Sequence, residues 1–270
     1  MAGSRVTLVT GGAAGIGLAT ARRFVAAGDH VIISDAMEDA AKDATASIHE
    51  SGGKTSCYRL DVTDEDQVTD VVETVESVEG PIDALVTCAG ILQNPGGIED
   101  MTVEEHDRMW QINYRGVYVT CRAVGPRMNR RGRGTIVNMH STTSIHPYPL
   151  VAYGVGKSSL KMLTEVLAAE FGPQGVRVNG VASGVTMTEN MKRRVAAGER
   201  DPEEIVAWNA IPEIVVPEDV AESIFFLYSN EAHAISGVTL HRLRVAGSRH
   251  VQWLSKVTGL SKVTGLSKAI

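Results

Sequence analysis

A strand, a glycine-rich turn and a helix follow one another within the first 27 residues, and that order constrains the fold more than any other feature of the chain. Arg5-Val-Thr-Leu-Val-Thr10 is a short β-rich run that ends in Gly11-Gly-Ala-Ala-Gly15-Ile-Gly17. From Leu18 to Ala27 apolar residues recur at helical spacing, with Ala19, Phe24 and Val25 on the repeat. Glycines in that position are what a dinucleotide-binding turn requires. Gly11 permits the tight turn, Gly15 lets the backbone approach a pyrophosphate, and Gly17 lets the helix pack closely on the sheet. Ile16 stands at the helix start, where free N–H groups and the positive dipole end face the phosphates. An ordinary glycine-rich turn is the bland alternative; the agreement of strand, turn and helix favours the nucleotide.

The next strand, His30-Val-Ile-Ile-Ser-Asp35, ends in an acid. A carboxylate there accepts bonds from ribose hydroxyls and repels a 2′-phosphate. Neither Ala14 nor Ala36 and Met37 supplies a base for such a phosphate, so the expected cofactor is NAD and not NADP. Asp35 as a cap of the following helix is the competing reading.

Strand and helix patterns then alternate. Helices are predicted over 37–51, from Thr63 towards Val78, over about 103–131, from the Tyr153 region to about Gly172, and over 217–228. Strands are predicted over 54–60, 81–87, 134–139, 176–182 and 238–245, with a polar, irregular stretch over 184–211. Alternation of this kind implies an α/β fold, a Rossmann-like doubly wound parallel sheet covered on both faces. No linker interrupts it, so a single domain over 1–250 is expected. Residues 251–270 form a tail in which Leu254-Ser-Lys-Val-Thr-Gly259 recurs as Leu260-Ser-Lys-Val-Thr-Gly265, too short a period for a solenoid unit.

At 43% hydrophobic and 21% charged residues, the chain has ample material for a core. A net charge of -6 argues against a nucleic-acid partner. The basic patch Arg127-Met-Asn-Arg130-Arg131-Gly-Arg133 reads as a helix C-terminus where cations offset the dipole. Cys57, Cys88 and Cys121 show no metal spacing, no metal is expected, and they suit a reducing compartment. Neither a bilayer-spanning stretch nor a leader is evident, so the expected address is the cytoplasm.

Chemistry is suggested by Tyr153 and Lys157, four residues apart and so on one helix face, with Ser141 upstream at the end of an apolar run. A cation beside a phenol favours the phenolate, so Lys157 is expected to bring Tyr153 into range for acid–base work. Singly, each residue has a quiet reading: a solvated lysine, a strand-end serine cap, a satisfied asparagine at 113. Their order on these elements favours a shared site.

With those residues placed, the chain resembles the short-chain dehydrogenase/reductase family from about Arg5 to Val245. Thr10-Gly-Gly-Ala-Ala-Gly-Ile-Gly17 is similar to the family's T-G-x-x-x-G-x-G motif, and Asp35 sits at its NAD-selecting acid. Asp61-Val62 matches the pair whose acid holds the adenine amino group. Thr87-Cys88-Ala89-Gly90 stands where N-N-A-G is usual, with small Ala89 and Gly90 kept to face the cofactor. Asn113, Ser141, Tyr153 and Lys157 match the catalytic set. Ser183-Gly184-Val-Thr186-Met-Thr188 resembles P-G-x-x-x-T, which implies that Gly184, Thr186 and Thr188 contact the nicotinamide side. His140, beside Ser141, is read as a neighbour. Leu243-Arg-Val-Ala-Gly247 departs from the family's V-D-G-G.

The resemblance implies hydride transfer between a secondary alcohol and NAD. Tyr153 would move the proton, Lys157 would tune it and hold the ribose, Ser141 would bind the reacting oxygen, and Asn113 would hold a relay water. The pocket is expected to be lined by 142–151, Ile91 to Pro95, and a lid over 185–211 with Met187, Met191 and Trp208. No arginine cluster stands out, which favours an uncharged, hydrophobic or cyclic substrate. A 3-oxoacyl thioester reductase, an NAD-sensing protein without turnover, and a scaffold keeping only the fold are the alternatives. The family's habit implies a homotetramer through the helices carrying Asn113 and Tyr153.

Overall fold

A computed structural model describes residues 4–207, 209, 211 and 213–242. Seven parallel strands form one sheet: β1 (Val6–Thr10), β2 (His30–Asp35), β3 (Thr55–Arg59), β4 (Ile82–Thr87), β5 (Gly134–Ser141), β6 (Val176–Ser183) and β7 (Thr239–Arg242). Their order is β3-β2-β1-β4-β5-β6-β7. The chain winds outward one way from β1 and then crosses back to β4. The strand order therefore reverses between β1 and β4, and the crevice outside their carboxyl ends is where such sheets take ligands.

Alternation along the strands builds two cores. Val9, Val31, Ile33, Val86 and Val137 enter one, beneath α1 (Gly15–Ala26), α2 (Glu38–Glu50) and α9 (Pro217–Tyr228). Leu8, Ile32, Leu85 and Ile136 enter the other, beneath α3 (Glu65–Val78), α5 (Gly116–Arg131) and α6 (Tyr153–Phe171). Side chains of neighbouring strand residues point to opposite faces, so each strand feeds both layers. Phe24 of α1 stacks edge-on against Phe225 of α9, with ring centroids 5.3 Å apart.

The predicted 103–131 helix is interrupted. α4 (Val103–Trp110) starts at a capping box in which Thr102 and Glu105 bond each other's backbone N–H. A π-helical turn, Gln111–Arg115, then joins it to α5. Such turns insert one extra residue and re-aim the side chains within them; Asn113 is at the centre of this one. The basic patch does more than offset a dipole: Arg127 and Arg131 reach Glu73 and Glu76 of α3.

The stretch expected to be irregular contains two helices, α7 (Glu189–Ala196) and α8 (Pro202–Ala207). α7 is capped by the Thr188 hydroxyl, which accepts the Met191 N–H at 3.3 Å. Met191 is its one buried residue, so hydrophobic periodicity had almost nothing to report there. Cys57, Cys88 and Cys121 form no disulfide. Trp208, the 243–247 segment and the repeated tail lie outside the described residues.

Candidate active site

The carboxyl ends of β1 to β6 bring the predicted residues to one edge of the sheet. At the β1 turn Gly11 has φ +64°, and a Cβ there would lie 2.6 Å from the Ala89 backbone. Gly17 packs so closely on the turn that a Cβ would meet the Gly11 carbonyl oxygen at 2.1 Å. Ala14 precedes α1 and provides no side-chain cap, so the first N–H groups of that helix, those of Gly15, Ile16 and Gly17, remain available to an anion. A glycine cradle of this shape with open helix N–H groups fits a dinucleotide pyrophosphate.

Asp35 is half-buried at the end of β2. It accepts the N–H of Ala13 at 3.3 Å and that of Met37 at 3.0 Å, so it ties the glycine turn to the next helix. Sequence reading placed no base nearby; the structure sets the exposed Arg59 opposite Asp35 in the β2–β3 register. Asp61 accepts bonds from the Thr63 N–H and hydroxyl, and these hold its carboxyl below the usual range. Val62 turns its side chain into a small core with Leu60, Val68 and Val119, which leaves only its backbone at the cleft edge.

Beyond β4 the site is built from side chains. Asn113 is buried, and its carboxamide is engaged on both sides by one residue: it accepts the Ile91 N–H at 2.9 Å and donates to the Ile91 carbonyl at 3.0 Å. A Cβ on Gly90 would sit 2.7 Å from that carboxamide oxygen, so the clamp requires glycine at 90. The expected relay role thus meets an asparagine already committed to the loop after β4. Thr87, standing where asparagine is usual, still crosses to β5: its hydroxyl donates to Asn138 at 2.9 Å, and Asn138 donates to Thr164 of α6 at 3.0 Å.

Ser141 ends β5, and Tyr153 opens α6 with its phenol beside the Ser141 hydroxyl, whose influence favours the ionised phenol. Lys157 is buried one turn further on; its Nζ donates to the Met139 carbonyl at 2.7 Å and lies 5.7 Å from the centroid of the Tyr153 ring. One expectation is corrected here. Lys157 was to make the phenol acidic. Instead, enclosure of its ring end pushes Tyr153 up to about 12, opposed only by Ser141. Burial pulls Lys157 down to about 8, opposed by Cys88. In this geometry desolvation dominates, and Lys157 is not among the groups that shift the phenol. His140 points to the opposite face, bonded to Thr164 and Thr239, and burial lowers it to about 3. It is a neutral neighbour, as expected.

Ser141 and Tyr153 open on a cavity of about 350 Å³. Ile16, Gly184, Thr186 and Thr188 line it too, so the cofactor turn and the segment after β6 share one space with the phenol. Thr188 stands against the glycine turn, its methyl 3.2 Å from where a Gly15 Cβ would be. Leu92, Tyr148, Leu150, Val185, Met191 and Ile205 supply apolar wall. Met187 is not among the lining residues. Arg194, which the sequence suggests is a helix-surface charge of the lid, reaches the cavity, as does Arg200, which no sequence signal marked, in company with Glu199 and Asp201.

The family described as enoyl-(acyl carrier protein) reductase matches residues 11–242. A cyclopentanol dehydrogenase of Comamonas testosteroni is 33% identical over 237 residues, 87% of this chain and 94% of that protein. A 2-(R)-hydroxypropyl-CoM dehydrogenase of Xanthobacter autotrophicus is 35% identical, covering 88% of this chain and 96% of its own. This chain belongs to the short-chain dehydrogenase/reductase family. The solved structure of ElxO with NADP bound superposes with a TM-score of 0.84 at 28% identity, over 93% of this chain and 100% of that one. Membership supports an oxidoreductase acting on CH–OH groups with a nicotinamide cofactor. No helix among the described residues is long and apolar enough to cross a membrane.

Proposed function

We propose that this chain is an NAD-dependent dehydrogenase that interconverts a secondary alcohol and a ketone, on an uncharged and largely apolar or cyclic substrate. The observation that carries this reading is the Ser141–Tyr153 hydroxyl pair opening on the same cavity as the glycine-turn residue Ile16. The dinucleotide, when bound, supplies or accepts the hydride. Tyr153 is protonated at neutral pH and donates its proton to the carbonyl oxygen in reduction; in oxidation it takes the hydroxyl proton back. Ser141 donates to the same oxygen and stabilises its developing charge. Lys157, anchored at Met139, holds a ribose hydroxyl and fixes the tyrosine's turn of helix. Asn113 keeps the Ile91 segment against the cleft.

Asp35 supports NAD, because its carboxylate would hold the ribose hydroxyls of a bound dinucleotide, while Arg59 stands among Asp35, Glu38 and Asp61, whose charges outnumber it. The uncharged substrate follows from the cavity mouth: Arg194 is paired with Glu199 at 3.0 Å, Arg200 donates to the Glu199 carbonyl, and Asp201 balances the remaining charge. We assign a homo-oligomer to the exposed apolar stripe Val155, Met162 and Val166 along α6, whose spacing puts all three on one face. A Met162→Glu protein that sediments like the wild type contradicts that assignment. The enzymatic reading is tested by a panel of cyclic and linear secondary alcohols, ketones and an acyl thioester with NAD and NADP. Turnover of cyclic alcohols with NAD is expected; binding of either nucleotide without any turnover overturns it.

A further inference from the structure

Gln93 belongs to no motif, yet it is buried beside the reacting phenol. It lies in the loop after β4, two residues past the Ile91 backbone that Asn113 clamps. The same loop is tied to its surroundings at Gly96, whose N–H donates to the Pro149 carbonyl, and at Asn94, which accepts from Arg194 of α7. The side chain of Gln93 is therefore held by structure on several sides.

Its Oε1 accepts two backbone N–H groups, those of Ala152 at 3.1 Å and Tyr153 at 3.0 Å. α6 has no side-chain cap of its own at Ala152. Gln93, 60 residues earlier in the chain, does that work. Backbone N–H groups only donate, so the atom they meet must be the carbonyl oxygen of the amide, and this fixes which way the carboxamide points. Nε2 is then turned to the other side. It has no hydrogen bond among the described residues, and it is not one of the partnerless polar atoms sealed from solvent. Gln93 lines the reaction cavity with Ser141 and Tyr153, and it also lines an adjoining cavity of about 510 Å³ bounded by Pro95, Met101 and Met109.

We propose that Gln93 is a two-sided residue of the substrate site: its oxygen fixes the start of the helix carrying Tyr153, and its amide N–H group binds a second oxygen of the substrate. The substrate class is thereby narrowed to secondary alcohols that carry a further hydroxyl, ether or carbonyl oxygen a few bonds from the reacting carbon. This rests on the dehydrogenase reading above. The selectivity has a physical source. A buried donor covered by a ligand without an acceptor loses its water and gains nothing, so the mono-oxygenated analogue is penalised as much as the correct one is favoured. The proposal keeps the substrate uncharged.

The test uses cyclohexanol and the 1,2-, 1,3- and 1,4-cyclohexanediols, with the full-length protein and either nicotinamide cofactor. At least one diol is expected to exceed cyclohexanol about tenfold or more in kcat/KM. Gln93→Glu keeps an acceptor for the two N–H groups and removes the donor; Gln93→Met removes both. The diol-to-cyclohexanol ratio falls to near one in Gln93→Met; the carboxylate of Gln93→Glu can still accept a diol O–H, so tetrahydropyran-4-ol, whose ring oxygen only accepts, is included, and its advantage over cyclohexanol is expected to vanish in both variants. The kcat values fall further in Gln93→Met than in Gln93→Glu, since only the former leaves the Tyr153 N–H without its partner. A purely structural role would not separate ratio from kcat in this way. Wild-type ratios within about threefold for every diol overturn the proposal even if neither variant folds, as does a ratio that survives in both variants. If no alcohol turns over with either cofactor, the dehydrogenase reading has failed; if cyclohexanol turns over and the diols have no advantage, only the assignment of Gln93 has.

Discussion

The two ends of the cleft are built from different materials. Towards β3 it is backbone: a turn at Gly11, open N–H groups on α1, and acids at Asp35 and Asp61 held by main-chain bonds. Towards β6 it is side chain. Ser141 meets Tyr153, Gln93 caps α6 from the loop after β4, Asn113 clamps Ile91, and Lys157 is buried on Met139. Backbone cradles tolerate no Cβ and little else; side-chain sites tolerate substitution but depend on burial. The nucleotide end should therefore fail through sterics, and the chemical end through electrostatics.

The largest effect is expected at the chemical end. Tyr153→Phe removes the phenolic proton donor that shares the cavity with Ser141 and should lower kcat by about a thousandfold or more, within the range for loss of a general acid. Nucleotide affinity, read by calorimetry, should hold. Turnover near the wild-type level would remove Tyr153 from the mechanism. At the nucleotide end Gly11→Val should cost about 3 kcal/mol or more, because it adds a positive-φ penalty to a clash with Ala89. It should also abolish nucleotide binding. A variant that melts with the wild type and binds normally would mean that the turn is not a close-packed cradle.

A titration sharpens the contrast. With Tyr153 at about 12 the base form is scarce at neutral pH, and its fraction rises tenfold per pH unit until that pKa is reached. Alcohol oxidation should climb from about pH 6 to pH 10 while ketone reduction shows no such rise, and falls above about pH 8 if the charge on Lys157 contributes to holding the cofactor. An oxidation rate flat over that span would mean that the loaded site acidifies the phenol after all. The smallest effect is assigned to Asp35→Ala, which should improve the NADP-to-NAD preference by about tenfold, with one of the three acids around Arg59 then gone. An unchanged preference would leave Asp35 as only the tie between Ala13 and Met37.

The same contrast explains what could be read from residues alone. Gly11 to Gly17 and Asp35 were legible because their work is local: the turn, the helix start and the strand end are neighbours in the chain. The alternating pattern carried the sheet, since its central strands are buried on both faces. The sequence placed Gln93 in a pocket wall but not its capping of α6, because its partners are about 60 residues away and nothing in its flanks marks a cap. α7 was missed because Met191 is its one buried residue, and α8 because six residues are too few to show a helical period. The π turn at Asn113 leaves no signature in a pattern that continues through it. Lys157 was placed correctly on the face of Tyr153, but its influence was misjudged, because spacing shows which charges are near and not how dry their surroundings are.

The central claim is that this cleft moves a hydride from a carbinol carbon to a nicotinamide. The most direct measurement incubates the protein with NAD and cyclopentanol deuterated at the carbinol carbon, then reads the reduced cofactor by mass spectrometry. Reduced cofactor carrying the deuterium, formed by the wild type and not by Tyr153→Phe, is the predicted result. Reduced cofactor without the label, or label transfer undiminished in the phenylalanine variant, would contradict the account.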